Sequence, residues 1–215
     1  VSVIDERQLR VLARLQPLLP AASYLAGGVA VAMHFDHRQS RDLDVFVPDD
    51  FDARALAQSI TDALPDAIVR STAENTVHVD IADIPTSILG YRYALIEPAL
   101  VRTVSGDTPA SIAAPIDLLA MKLAAVADRG AAKDFWDIDV LLTAGVAGGD
   151  VASALALFER KYPRADPGFV LRALTYFGEA VAAPLPLGLT REEWQQIAAR
   201  STRRVSEYLR ALSAD

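Results

Sequence analysis

Gly27-Gly28-Val29-Ala30-Val31-Ala32-Met33 and, shortly after, Arg38-Gln39-Ser40-Arg41-Asp42-Leu43-Asp44-Val45-Phe46-Val47 decide how this chain is read. The glycine pair follows Ser23-Tyr24-Leu25-Ala26 and opens an unbroken apolar segment. That order reads as a short strand, a glycine turn and a buried helix. Residues 42–47 read as a strand, ended by Pro48, whose first residues place Asp42 and Asp44 on one face.

The two stretches suggest one chemistry. A glycine turn lets the backbone approach a bulky anion, and the helix N-terminus behind it aims unsatisfied N–H groups at a phosphate. Paired carboxylates on a strand can share divalent cations, and Mg²⁺ commonly bridges one or two carboxylates to substrate phosphates. Two such ions can activate an attacking hydroxyl and stabilise a leaving pyrophosphate. Asp80, within Val77-His78-Val79-Asp80-Ile81, is the candidate third metal ligand, and Asp83 is the weaker option. Arg38 and Ser40 can orient phosphate, although Arg38 could instead pair with Asp42 or Asp44. His34, His37 and His78 are too scattered for a zinc triad.

Outward from this segment, residues 5–18 carry Leu9, Val11, Leu12, Leu15 and Leu18 at helical spacing, with Asp5 as N-cap. A helix is expected over 51–64, and strands over 67–71, 76–82, 86–91 and 99–104. After Pro109 everything reads as helix, over 115–128, 132–144, 150–162, 168–182 and 190–212. The expected class is α+β, with an α/β core over 1–108 and a helical half over 109–215. In that second half Lys122 stands in an otherwise apolar helix, where a lysine either snorkels to solvent or has a function. Asp134 and Asp137 share a helix face, either as an N-cap and a solvated or Arg129-paired acid or as functional carboxylates.

Composition narrows the function classes. The 215 residues include no cysteine, which excludes a disulfide scaffold, a thiolate zinc site and a cysteine nucleophile. A formal charge of −7 leaves nucleic-acid binding to a local basic face. Arg191, Arg200, Arg203, Arg204 and Arg210 offer one, unless they are an ordinary solvated helix surface. No window is apolar for long enough to span a membrane, and the N-terminus matches no signal peptide, so a soluble cytoplasmic protein is expected.

Leu25-Ala26-Gly27-Gly28 through Asp42-Leu43-Asp44-Val45-Phe46 resembles the first motif of the AbiEii/AbiGii toxin family of nucleotidyltransferases. Lys122, Arg129 and Lys133-Asp134-Phe135-Trp136-Asp137-Ile138 resemble its second, in the expected order, so the likeness covers roughly residues 20–145. The resemblance implies a polymerase-β-like nucleotidyltransferase fold. It also implies Mg²⁺-dependent transfer of a nucleotide from an NTP to an acceptor hydroxyl, with pyrophosphate released. Some relatives resemble toxins that modify the 3′ end of tRNA and are neutralised by an antitoxin, so RNA and a protein antitoxin are implied partners. Asp42 and Asp44 match the metal-binding pair, and Gly27 and Gly28 the phosphate-facing turn. Lys122 matches a lysine contacting the triphosphate, and Asp134 or Asp137 a late carboxylate.

One position departs from the family pattern. Val29 stands where relatives carry a hydroxyl, and a missing neutral hydrogen bond costs about 0.5–1.5 kcal/mol. The alternative is therefore a catalytically silent module that keeps the fold to bind a partner. A D-x-D glycosyltransferase fits less well, because that fold needs a longer chain.

Overall fold

The computed structural model describes residues 5–214 and separates into two compact units, residues 1–114 and 115–215. The first unit is built on a seven-stranded mixed sheet. Its strands are β1 (Tyr24–Ala26), β2 (Leu43–Val47), β3 (Ala67–Ala73), β4 (Thr76–Ile81), β5 (Ile84–Gly90), β6 (Leu100–Ser105) and β7 (Thr108–Ile112), in the order β3-β4-β5-β2-β1-β7-β6. β2 pairs antiparallel with β1 and parallel with β5, so the strand carrying Asp44 lies in the middle of the sheet.

Alternation along β2 buries Leu43, Val45 and Val47 and leaves Asp44 and Phe46 on the other face, half-buried. The helices α1 (Glu6–Leu15), α2 (Gly27–Phe35) and α3 (Ala53–Ala63) complete the unit. α2 holds to β1 and β2, and α3 to β3 and β4. Val29, Ala30, Val31 and Ala32 of α2 are buried, as the unbroken apolar run requires. Ala82 and Asp83 both have positive φ (50° and 62°) and close the two-residue β4–β5 hairpin. Asp83 is therefore a turn residue, outside the strand that holds Asp80.

The helical second unit comprises α4 (Pro115–Arg129), α5 (Ala132–Thr143), α6 (Val151–Lys161), α7 (Pro167–Ala173), α8 (Gly178–Ala182) and α9 (Arg191–Leu212). α4 packs on α5, α6 and α7, and α5 also packs on α9. Phe135, Phe177 and Trp194 form an aromatic cluster with ring centroids 5.1–5.8 Å apart, both phenylalanines meeting Trp194 edge-on.

Three expectations are corrected. The unit boundary falls at 114/115 and not at 108/109, because Thr108–Ile112 is a strand. β7 pairs with β6 and β1, and that pairing overrides the proline and alanines that suggested the sheet had ended. The helix expected over 168–182 is two helices, since a turn at Leu174–Phe177 separates α7 from α8. The helix over 5–18 gives way after Leu15 to a 3₁₀ turn at Gln16–Leu18, where Pro17 cannot donate to the α-helical ladder.

Candidate functional site

In the first unit the turn from β1 into α2 lies directly against the acid strand. Gly27 has φ +64°, and a Cβ placed there would sit 2.0 Å from Asp44 Oδ2. A Cβ at Gly28 would sit 2.5 Å from Arg38 Nη2 and 2.6 Å from Ser40 Oγ. Only glycine tolerates both the left-handed backbone and this close approach. The turn thus brings together Gly27, Gly28, Arg38, Ser40 and Asp44. Among the described residues no side chain caps the N-terminus of α2, whose N-cap residue is Ala26.

Arg38 is buried (6% exposed) and donates from Nη1 to Gln39 O at 3.0 Å. Asp42, one residue before β2, is exposed and lines a cleft of about 870 Å³ together with Gln8, Gln39, Ser40, Arg41 and Asp83. This donor set fits a hard divalent cation: the carboxylates of Asp42 and Asp44 offer only oxygen, and phosphate and water can complete the octahedron that Mg²⁺ prefers. Among the described residues no group of three His, Cys, Asp or Glu is placed to hold a metal unaided.

Asp80 shares the open sheet face with Asp44, but the register aligns other residues with that carboxylate. Asp44 stands beside Ser87, and Ser87 beside His78, with His78 Nδ1 3.1 Å from Ser87 Oγ. Asp80 stands opposite Pro85 and Ile68 and accepts from Arg70 Nε at 2.7 Å. Val29 is 2% exposed, so the side chain at the departing position belongs to the core.

The charged residues singled out in the second unit form a different kind of site. Lys122 Nζ lies 2.6 Å from Asp137 Oδ2 and 3.1 Å from Asp134 Oδ1. Arg129 closes on Asp134 with two hydrogen bonds, at 2.8 and 2.9 Å. Both carboxylates are fully buried and the lysine side chain is 7% exposed. Two cations answer two anions, which is what makes such burial tolerable. Burial alone would raise the Asp134 pKa, but the Arg129 hydrogen bonds and the Lys122 charge outweigh it and hold the carboxyl below its ordinary 3.8. Asp134 is not a helix cap, since α5 begins after Ala131.

Sequence reasoning missed two more buried pairings here. Lys161 donates to Asp117 at 2.7 Å, with both side chains fully buried. Asp139 receives Arg200 at 2.6 Å and Arg204 at 2.7 Å. The arginine-rich face of α9 is thereby partly explained without any ligand, because Arg203 also has Glu207 at 3.9 Å. Gln8 was missed as well, although a polar residue in the stripe Gln8, Val11, Leu12 and Leu15 was a visible signal.

Comparison with known proteins places this geometry in context. The family model described as the nucleotidyl transferase AbiEii toxin of a type IV toxin–antitoxin system matches residues 10–103 and 77–212. An uncharacterized protein of Aquifex aeolicus strain VF5 is 31% identical over 196 residues, covering 86% of this chain and 87% of its own. Among solved structures, the nucleotidyltransferase toxin MenT4 of Mycobacterium tuberculosis H37Rv superposes with a TM-score of 0.63 at 14% identity. That match covers 93% of this chain and 82% of the toxin. The antibiotic-resistance factor ANT(2'')-Ia superposes with a TM-score of 0.53 at 14% identity, over 74% of this chain and 94% of its own. The fold is the mixed-sheet nucleotidyltransferase fold with a helical C-terminal part. No helix among the described residues is long and apolar enough to cross a membrane.

Proposed function

The chain belongs to the AbiEii nucleotidyl transferase toxin family, and on that premise we propose that it transfers a nucleotide from an NTP to an acceptor hydroxyl. The observation that carries this reading is the contact of the Gly27–Gly28 turn with Asp44, Arg38 and Ser40. Phosphate-binding backbone and metal-binding carboxylate are side by side, as in-line displacement at an α-phosphorus demands. The acceptor oxygen forms a bond to that phosphorus, the bond to the bridging oxygen breaks, and pyrophosphate leaves with the electron pair. The acceptor proton passes to a nearby carboxylate or to water.

The protein's task in such chemistry is positioning and charge stabilisation more than strong base catalysis. The N–H groups at the start of α2 and the Arg38 guanidinium bind phosphate oxygens, and Ser40 adds a hydroxyl. Asp42 and Asp44 would hold one or two Mg²⁺ ions, which when bound neutralise phosphate charge and lower the pKa of a coordinated hydroxyl. Asp80 joins them as third ligand only by giving up Arg70. Lys122 enters as a triphosphate contact whose ammonium must be shared with Asp134 and Asp137. An RNA acceptor such as the tRNA 3′ end, a protein antitoxin and a cytoplasmic location are part of this proposal, and the family's description as the toxin of a toxin–antitoxin system supports the antitoxin. Val29 favours a second reading, a silent module of the same fold, because its buried side chain brings no donor to the turn.

The test is label transfer from each α-labelled NTP with Mg²⁺ and total cellular RNA, beside an Asp42→Asn, Asp44→Asn double variant. A labelled tRNA-sized band absent from the variant is the expected result. Absence of both label and Mg²⁺-dependent NTP binding would remove the enzymatic reading and leave the silent module.

A further inference from the structure

Gln8 is the polar member of an otherwise apolar helix face. It is 2% exposed, on the same side of α1 as buried Val11, Leu12 and Leu15. Burying an amide without a partner is costly, so its hydrogen bond is the point of interest. Its Nε2 donates to Ser40 O at 2.8 Å, across thirty-two positions of sequence. Ser40 belongs to the segment between α2 and β2 that also supplies Arg38 and Asp42, and its Oγ packs over Gly28. Gln8, Ser40 and Asp42 line the same cleft.

The base from which Gln8 reaches is itself fixed. Asp5 caps α1 by accepting from Arg7 N at 2.8 Å, and the apolar stripe anchors the helix to the core of the first unit. The segment it reaches has no helix or strand of its own from Asp36 to Asp42. Within that segment Arg38 donates to Gln39 O. The Gln8 bond ties a helix to the residue between the phosphate-orienting Arg38 and the metal-facing Asp42.

We infer that Gln8 is a positioning residue of the nucleotide site, holding the Arg38–Asp42 segment so that Ser40 faces the glycine turn and Asp42 enters the cleft. This role rests on the nucleotidyltransferase reading above. It assigns α1 a part in the site, with no contact between Gln8 and the reacting atoms.

The experiment compares the wild-type protein with Gln8→Leu, which keeps size and continues the apolar stripe, and with Gln8→Met, which keeps the unbranched length but has no donor. Amide hydrogen exchange over residues 36–42 is measured together with ATP binding at increasing Mg²⁺. Both variants are expected to keep the wild-type unfolding midpoint within a few degrees and to exchange faster at 39–42. Half-saturating Mg²⁺ should rise on the order of threefold to tenfold, the size set by one hydrogen bond. Unchanged exchange in a folded variant overturns the inference. Faster exchange with unchanged Mg²⁺ dependence also overturns it, leaving Gln8 a structural tie. If the wild-type protein binds no Mg²⁺–ATP, the reading of the site has failed, and the positioning role falls with it. Should Gln8→Leu not fold, Gln8→Met decides by the same two measurements.

Discussion

Two pairs of aspartates look alike in this sequence and are opposite in the structure. Asp42 and Asp44 stand at the start of a strand, the first exposed beside a cleft and the second against the backbone of Gly27. Asp134 and Asp137 stand one helical turn apart, fully buried, with Lys122 and Arg129 bound to them. The first pair keeps solvent access, a condition for binding a cation from outside. The second already has its cations, built into the chain. Short carboxylate spacing therefore does not distinguish a metal site from an internal ion cluster. Burial does.

The largest effect that could break this contrast is expected at Lys122. In Lys122→Met the Asp137 carboxylate loses its ammonium inside the second unit, and removing one partner of a buried pair typically costs about 3–5 kcal/mol. Urea unfolding should show the midpoint falling steeply. A variant that kept wild-type stability would show that the buried cluster does not depend on its ammonium, and would undo the distinction.

Gly27→Ala attacks the other pair. An alanine in the left-handed region costs about 1–2 kcal/mol, and its methyl group would also have to displace the Asp44 carboxylate. A modest fall in stability with complete loss of nucleotide transfer is expected, measured by thermal unfolding and label transfer. Transfer that survived would mean the contact between turn and carboxylate is incidental.

A titration sharpens the contrast further. The Asp134 pKa is held below its ordinary 3.8, so as pH falls the unfolded chain takes up that proton before the folded one does. Its stabilising contribution is complete above the ordinary carboxylate range and is lost as pH drops through the folded value. His34 behaves as an internal reference in the first unit. Burial lowers its pKa below 6.5, Arg102 adds to the effect, and the bond to Ala113 O opposes it. Its contribution is full above pH 6.5 and declines below that, from folded and unfolded forms binding protons unequally. Denaturation midpoints followed from pH 8 to pH 2.5 should therefore fall gently below pH 6.5 and again below pH 4. His34→Asn should remove the first fall, and Asp134→Asn should alter only the second.

The smallest change in stability is expected for Asp42→Asn. Among the described residues this exposed acid makes no ion pair, so thermal unfolding should be unchanged or slightly raised while activity disappears. A clear loss of stability would mean that Asp42 is structural, like Asp134.

The local features were legible. The strand, glycine turn, helix and acid strand around Gly27 and Asp44 rest on contiguous sequence, where period and punctuation act directly. The second unit was legible as helix but not as wiring, because the partners are remote: Asp139 meets Arg200 and Arg204 from 61 and 65 positions away. Arg70 is only ten positions from Asp80 and was hidden instead by the unforeseen register of β3 against β4. β7 was illegible because Thr108–Ile112 owes its conformation to β6 and β1 on either side and not to its own side chains. Gln8 was legible only as an anomaly in an apolar stripe, and the reason for it appears once Ser40 is seen beside it.

The central claim is that Asp42 and Asp44, beside the glycine turn, form a metal-dependent nucleotide site. Calorimetric titration of ATP into the wild-type protein and into the Asp42→Asn, Asp44→Asn double variant, each with Mg²⁺ and with excess chelator, tests it most directly. The account expects binding only in the wild-type protein with Mg²⁺, with both proteins unfolding at the same temperature. Equal binding by the two proteins, or binding indifferent to the chelator, would contradict it.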